Sequence, residues 1–132
     1  MGGKAFKEIN IVRMNDREFK IISSKIVSAL KSMLKSEQVS VLPYYGNKES
    51  FSDVDIMLCI EDIQQFEKEK HVNFFQYCNE IFSGKGISEN SDNLTSIAVP
   101  INKDHTAFAQ VDLMPHLRKD FSKNLSFFAY ND

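Results

Sequence analysis

The sequence predicts an α+β fold, in which helices pack against one face of a small mixed β-sheet. Three observations support this class. Residues 16–36 carry apolar side chains at helical spacing, residues 53–60 form a short apolar run, and two strand-like segments flank the turn at residues 102–105. The chain has 132 residues and is 42% apolar, which is enough to build one compact core. We therefore expect a single domain over residues 1–132.

The first helix is expected from Asp16 to about Ser36. Its apolar side chains recur every three or four residues, which is the pattern of an amphipathic helix. Asn15 can accept a hydrogen bond from the first turn, and Glu18 completes a capping box. The apolar stripe that should face the sheet consists of Phe19, Ile22, Ile26, Leu30 and Met33.

The middle of the chain alternates between strand and helix patterns. A short β-rich segment covers residues 39–46, where Pro43 favours a sheet edge or a strand end because proline lacks a backbone donor. A second helical region is clearest from Val72 to Phe82, and the mixed charges at residues 67–70 are typical of a solvated helix face. Residues 83–93 are expected to form a loop.

The last third of the sequence predicts a hairpin followed by a helix. Strands are expected at about residues 94–101 and 106–114, and the short turn between them favours antiparallel pairing. Pro115 should close the second strand. The tail after residue 117 has the spacing of one further helix.

Two aspartates stand at the head of the apolar run DVDIMLCI. Its length and flanking turn residues favour a buried strand, in which alternate side chains share a face. Asp53 and Asp55 therefore point to the same side, with Cα atoms about 7 Å apart. Two ionised carboxylates beside an apolar run are costly unless a cation or basic groups compensate them. This pair predicts joint coordination of Mg²⁺.

A third aspartate occupies the same kind of position in FAQVDLMP. Alternation places Asp112 and Gln110 on one face of this strand, opposite a small apolar face. If the strand lies beside residues 53–60, the three carboxylates converge and can hold two metal ions. Gln110 either orients Asp112 or is a neutral sheet residue. The two main helices are then expected on the face opposite the acids.

These segments resemble the DNA polymerase β-like nucleotidyltransferase superfamily. The superfamily pattern is a Gly and a small residue, a short spacer and Asp-apolar-Asp-apolar on a strand, which YYGNKESFSDVDIMLCI resembles; QVDL is similar to its third-acid strand. The likeness spans about Val39 to Pro115. It implies a nucleotidyltransferase fold.

The resemblance also implies a role for each matching residue. Gly46 and Asn47 fall on the turn that grips the donor triphosphate. Asp53 and Asp55 match the two acids that bind both metals in the superfamily. Asp112 matches the third acid, which binds the metal on the acceptor side. The implied cofactor is a pair of Mg²⁺ ions, for which Mn²⁺ can substitute.

The phosphate turn of this sequence differs from the usual pattern. Asn47 stands where the superfamily has Ser or Gly, and the spacer is short. The ammonium of Lys48 and the hydroxyls of Ser50 and Ser52 are therefore further candidates for nucleotide contact. Lys48 is otherwise a surface lysine, and the two serines are otherwise turn residues.

The implied activity is transfer of a nucleoside monophosphate from a nucleoside triphosphate to an acceptor hydroxyl, with release of pyrophosphate. Proteins, RNA or DNA 3′ ends and small molecules such as aminoglycosides all remain open as acceptors. Larger relatives add a C-terminal helical subdomain that this sequence lacks. We therefore expect a minimal member, a fragment, or one half of an assembly with a partner chain or a second copy.

A non-catalytic regulatory or assembly module, similar to an antitoxin, is the alternative function. It would keep the fold without turnover. A metal-dependent phosphoesterase is less well matched, because no His-rich ligand set is present. The retained acids favour the enzyme, since a purely structural role would gain stability from apolar residues at those positions.

Composition narrows the remaining possibilities. The net charge of −2 creates no field that would attract nucleic acid by itself. No signal-peptide core and no apolar stretch of membrane-spanning length is present, so a cytoplasmic protein without membrane contact is expected. Cys59 and Cys78 lie in apolar segments and should be buried and inert. No catalytic role is assigned to the single histidines His71, His105 and His116.

Overall fold

The computed structural model describes residues 6–42, 50–91 and 93–131. These ranges contain four helices and five strands. In chain order they are α1 (Asp16–Leu34), β1 (Val39–Val41), β2 (Asp53–Cys59), α2 (Ile60–Lys70), α3 (Phe74–Ile81), β3 (Ile87–Ser91), β4 (Leu94–Pro100), β5 (Phe108–His116) and α4 (Arg118–Asn131).

The five strands form one mixed sheet in the order β1-β2-β5-β4-β3. The central strands β2 and β5 are parallel, and the other neighbouring pairs are antiparallel. The predicted hairpin is present as β4 and β5. The α+β class with a small mixed sheet is thus confirmed.

Helices α1, α2 and α3 cover one face of the sheet. From β2, the core receives Val54, Ile56 and Leu58, which are fully buried, as alternation predicts. Helix α1 begins where the capping box places it: the Asn15 side chain accepts from the Glu18 N–H at 2.8 Å, and Glu18 accepts from the Asn15 N–H at 2.9 Å. The two main helical regions therefore lie on the face opposite the acids.

Helix α4 packs on the other face, which it shares with the acids. Its Phe121 is buried against Met57 and Cys59, which follow the aspartates along β2. The Arg118 guanidinium donates to the side chains of Asp62 and Gln38 and fastens the first turn of α4 to α2 and to the residue before β1. The predicted last helix is confirmed, and it covers the end of this face away from the acids.

The second helical region and the loop after it differ from the prediction. The region predicted from Val72 to Phe82 is helix α3. A separate helix, α2, precedes it and ends at Lys70, because the following residue His71 has a φ of +57°. Residues 87–91 form strand β3 instead of a loop. Its sequence ISENS is polar at most positions, so the apolar alternation of a strand is not visible there.

Pro115 does not close the last strand, which continues to His116. Strand β4 pairs with β5 only as far as Leu113, whereas β2 pairs with β5 as far as His116. One side of β5 is therefore unpaired at this position, and a residue without an N–H is tolerated. Of the segment 39–46, residues 39–41 form β1, and residues 43–46 lie outside the described part of the chain.

Membrane-spanning character is absent from the described helices. Within residues 6–42, 50–91 and 93–131, no helix combines the length and the apolarity needed to cross a bilayer. The cytoplasmic location stays a prediction.

Candidate metal centre

The three predicted acids meet because β2 and β5 are adjacent and parallel. In the register of these strands, Asp55 lies opposite Asp112 and Asp53 lies opposite Gln110. Asp53, Asp55 and Asp112 each offer one carboxylate oxygen, and these three atoms all lie within 4.8 Å of one another. The predicted convergence of the carboxylates is present in the structure.

Asp112 is the most enclosed of the three. Its side chain is fully buried, whereas Asp53 and Asp55 are half-buried. Its Oδ1 atom accepts hydrogen bonds from the Ser96 hydroxyl at 2.5 Å and from the Gln110 side-chain amide at 2.9 Å. The sequence predicts that Gln110 either orients Asp112 or is a neutral sheet residue. Its hydrogen bond to Asp112 is the contact that the orienting role requires.

Two carboxylate oxygens in the cluster have no donor from the described residues. They are Oδ1 of Asp55 and Oδ2 of Asp112, and both are buried. A buried charged oxygen without a partner costs more than an ordinary lost hydrogen bond, so this arrangement favours a cation. Oxygen ligands of this kind suit Mg²⁺ or Mn²⁺. The residues present therefore fit a divalent metal.

The electrostatics of the cluster point the same way. The pKa of Asp55 rises from 3.8 to about 7, first because the carboxyl is buried and then because Asp53 and Asp112 carry like charge. Three carboxylates this close repel one another when all are ionised. At neutral pH the cluster is therefore relieved either by a proton on Asp55 or by a bound cation.

The segment expected to contact phosphate is only partly described. Gly46, Asn47 and Lys48 lie outside the described residues. Ser52 is half-buried immediately before Asp53. The nucleotide-binding role of this segment stays a prediction.

Arg13 lies beside this segment, although no pattern in the sequence predicts it there. The Arg13 Nε atom donates to the Ser50 hydroxyl at 2.7 Å, and a second Arg13 nitrogen donates to the Ser50 carbonyl at 3.3 Å. The contact arises because Met14 and Phe51 form an isolated antiparallel bridge. A single arginine before the first helix carries no motif, so nothing in the sequence pairs it with Ser50.

The cysteines are placed as expected. Cys59 and Cys78 are free and buried. Burial raises the pKa of Cys59 to about 11 and that of Cys78 to about 12. Both thiols are therefore protonated at neutral pH and are poor nucleophiles and poor metal ligands.

Comparisons with known proteins give no match in sequence and a partial likeness in structure. No protein-family model matches the chain, and no curated protein sequence matches it. Among solved structures, the chain is similar to Cid1 poly(U) polymerase, with a TM-score of 0.45 and 17% identity. The match covers 89% of this chain and 36% of that one, so this chain spans about a third of its length. The carboxylate cluster, rather than this likeness, is the basis for a functional proposal.

Proposed function

We propose that this protein is a Mg²⁺-dependent nucleotidyltransferase, which moves a nucleoside monophosphate from a nucleoside triphosphate to an acceptor hydroxyl. The observation that carries the proposal is the cluster of Asp53, Asp55 and Asp112 on two adjacent strands, with ligand oxygens within 4.8 Å. The Gly-led segment before Asp53 adds the superfamily pattern to this geometry. Neither feature is required by a sheet whose only role is structural.

The three aspartates would hold the metal. A bound pair of Mg²⁺ ions supplies charge neutralisation at the reacting phosphate and activation of the attacking oxygen. The protein's own contribution is orientation, because Ser96 and Gln110 fix Asp112 before any ion binds. Holding the ligands in place in advance lowers the cost of assembling the site.

The donor triphosphate would lie against the segment that precedes β2. Its contacts would be the guanidinium of Arg13, the ammonium of Lys48, and the hydroxyls of Ser50 and Ser52. Arginine matches phosphate oxygens with two parallel N–H donors, and the Ser50 contact already holds Arg13 at this segment. In the transfer, the acceptor oxygen bonds to the α-phosphorus, pyrophosphate leaves with the bridging oxygen, and the acceptor's proton passes to solvent.

The alternative of a non-catalytic module has less support. Asp55 and Asp112 each have a buried carboxylate oxygen with no donor among the described residues. A non-catalytic module does not require such oxygens. Replacing the two aspartates with apolar residues of similar volume would be neutral or stabilising. The acceptor is left as an experimental question, because the net charge of −2 selects no class of acceptor.

A transfer assay tests the proposal. The protein would be given each of the four α-labelled nucleoside triphosphates with Mg²⁺, in the presence of RNA, protein and small-molecule acceptor pools. We expect label transfer by the wild type, none by the Asp53→Ala/Asp55→Ala variant, and full transfer by an Asp104→Asn control, since Asp104 is exposed in the β4–β5 turn. If the folded wild type binds Mg²⁺ but transfers no label to any pool, the module is the better account.

A further inference from the structure

A line of polar side chains crosses the sheet at the acid cluster. Four residues lie opposite one another on successive strands: Ser88 on β3, Ser96 on β4, Asp112 on β5 and Asp55 on β2. Ser96 is a polar residue, yet it is fully buried within a strand whose other residues are mostly apolar. A buried hydroxyl in a sheet core needs partners, and here they lead directly to Asp112.

The hydrogen bonds along this line have a defined direction. Asn90 donates from Nδ2 to the Ser96 oxygen at 2.8 Å, and its Oδ1 accepts from the Ser88 hydroxyl at 2.9 Å. The Ser96 oxygen is thereby used as an acceptor, so its proton is directed to Asp112. An ionised carboxylate can only accept hydrogen bonds. In the 2.5 Å contact, Ser96 Oγ is therefore the donor and Asp112 Oδ1 is the acceptor.

The two oxygens of Asp112 are consequently different. Oδ1 receives both Ser96 and Gln110, whereas Oδ2 is buried without a donor from the described residues. Rotation of the carboxylate about its last bond is normally easy. Here it would break two hydrogen bonds at Oδ1, so only Oδ2 remains for an ion.

We propose that Ser96, held by Asn90, is a positioning residue that makes Asp112 a one-oxygen ligand and so sets a preference for Mg²⁺ over Ca²⁺. The inference rests on the proposed function to the extent that the cluster binds a divalent ion. Mg²⁺ requires a compact octahedron of oxygens, whereas Ca²⁺ takes more ligands and readily accepts both oxygens of a carboxylate. A carboxylate whose other oxygen is already hydrogen-bonded therefore suits Mg²⁺ better than Ca²⁺.

A purely structural role for Ser96 makes a different prediction. If Ser96 only satisfies a buried acid, its loss lowers stability and weakens all divalent ions alike. If it selects the donor atom, its loss lets Asp112 turn and offer both oxygens. The ratio of Mg²⁺ to Ca²⁺ affinity then falls, and this ratio is independent of any catalytic activity.

The test is a competition experiment on the full chain. Mn²⁺ binding is followed by electron paramagnetic resonance, and Mg²⁺ and Ca²⁺ are titrated as competitors against Ser96→Ala, Ser96→Thr and Asn90→Ala. Ser23→Ala is the matched control, because Ser23 is also buried and donates to a backbone carbonyl in α1, away from the cluster. Asn90 is exposed on the edge strand β3, so its variant should fold even if Ser96→Ala does not.

We expect Ser96→Ala to weaken Mg²⁺ by about tenfold or more, as is usual when a partner of a metal ligand is lost, and to weaken Ca²⁺ much less. Ser96→Thr should retain the wild-type ratio because it keeps the hydroxyl, and Asn90→Ala should shift the ratio in the same direction by a smaller factor. An unchanged ratio in both Ser96→Ala and Asn90→Ala overturns the inference alone. Absence of any Mn²⁺ or Mg²⁺ binding by the wild type overturns it together with the metal basis of the proposed function.

Discussion

Substitution of Asp55 by asparagine should remove a pH dependence of stability that the carboxylate cluster creates. The carboxyl group of Asp55 has a pKa of about 7 in the folded protein, against 3.8 as its ordinary value. Its proton is therefore bound more tightly in the folded state than in the unfolded state. Without metal, the associated stability is fully present below about pH 4 and is lost as the pH rises through about 7.

The expected size follows from the shift in pKa. A difference of about three units at roughly 1.4 kcal/mol each gives a loss on the order of 4 kcal/mol between about pH 4 and about pH 8. An asparagine side chain at this position would carry no charge at any pH. At about pH 8 in the absence of metal, the Asp55→Asn variant should therefore have a higher free energy of unfolding than the wild type, by up to this amount.

Urea denaturation in a chelating buffer, repeated at several pH values, measures the effect. Asp104→Asn is the control, because it also replaces one aspartate by asparagine but lies in an exposed turn. Excess Mg²⁺ at about pH 8 should then stabilise the wild type, by about 2.7 kcal/mol when its concentration is a hundred times the dissociation constant. The Asp55→Asn variant should respond weakly.

A parallel loss of stability in the wild type and in Asp55→Asn would refute this reasoning. It would mean that burial and like charge do not hold a proton on Asp55. An equal response of both proteins to Mg²⁺ would likewise place the metal elsewhere.

Three other substitutions and one measurement on the unchanged protein have defined outcomes. Asp112→Asn should abolish nucleotide transfer in the labelled assay while the melting temperature stays the same or rises, because the amide oxygen can still accept at the Oδ1 position and the repulsion is gone. Arg13→Ala should raise the KM for the nucleoside triphosphate with little change in kcat in steady-state assays, if Arg13 contacts the donor in the ground state. Phe121→Ala should lower the free energy of unfolding by about 3 kcal/mol in urea titrations, because the ring is buried under α4. Cys59 and Cys78 should react with a thiol reagent only after denaturant is added, since both are buried and protonated.

Local patterns in the sequence predict most of the elements that form the site. The capping box at Asn15 and Glu18 predicts the start of α1 correctly, because both halves of the motif lie within four residues. Alternation predicts which face Asp53, Asp55 and Asp112 occupy, because a strand has only two faces. Three of the most important side chains are therefore predictable without knowing how the strands pair.

The contacts made by Ser96 and Arg13 could not be predicted in this way. The Ser96 contact depends on the register of β4 with β5, and the Arg13 contact depends on a two-residue bridge between distant segments. A shift of one residue in either pairing would move the side chain away. Strand β3 was missed for a different reason, since its side chains are mostly polar and an edge strand needs little apolar alternation.

The most direct test of the metal centre is crystallography of the protein with Mn²⁺ and a non-hydrolysable nucleoside triphosphate, using the anomalous signal of manganese. We predict at least one anomalous peak within coordination distance of Oδ2 of Asp112 and of a carboxylate oxygen of Asp55, with Oδ1 of Asp112 still bound to Ser96. No peak at this cluster in a crystal grown with millimolar Mn²⁺, or peaks only at other sites, would contradict the account.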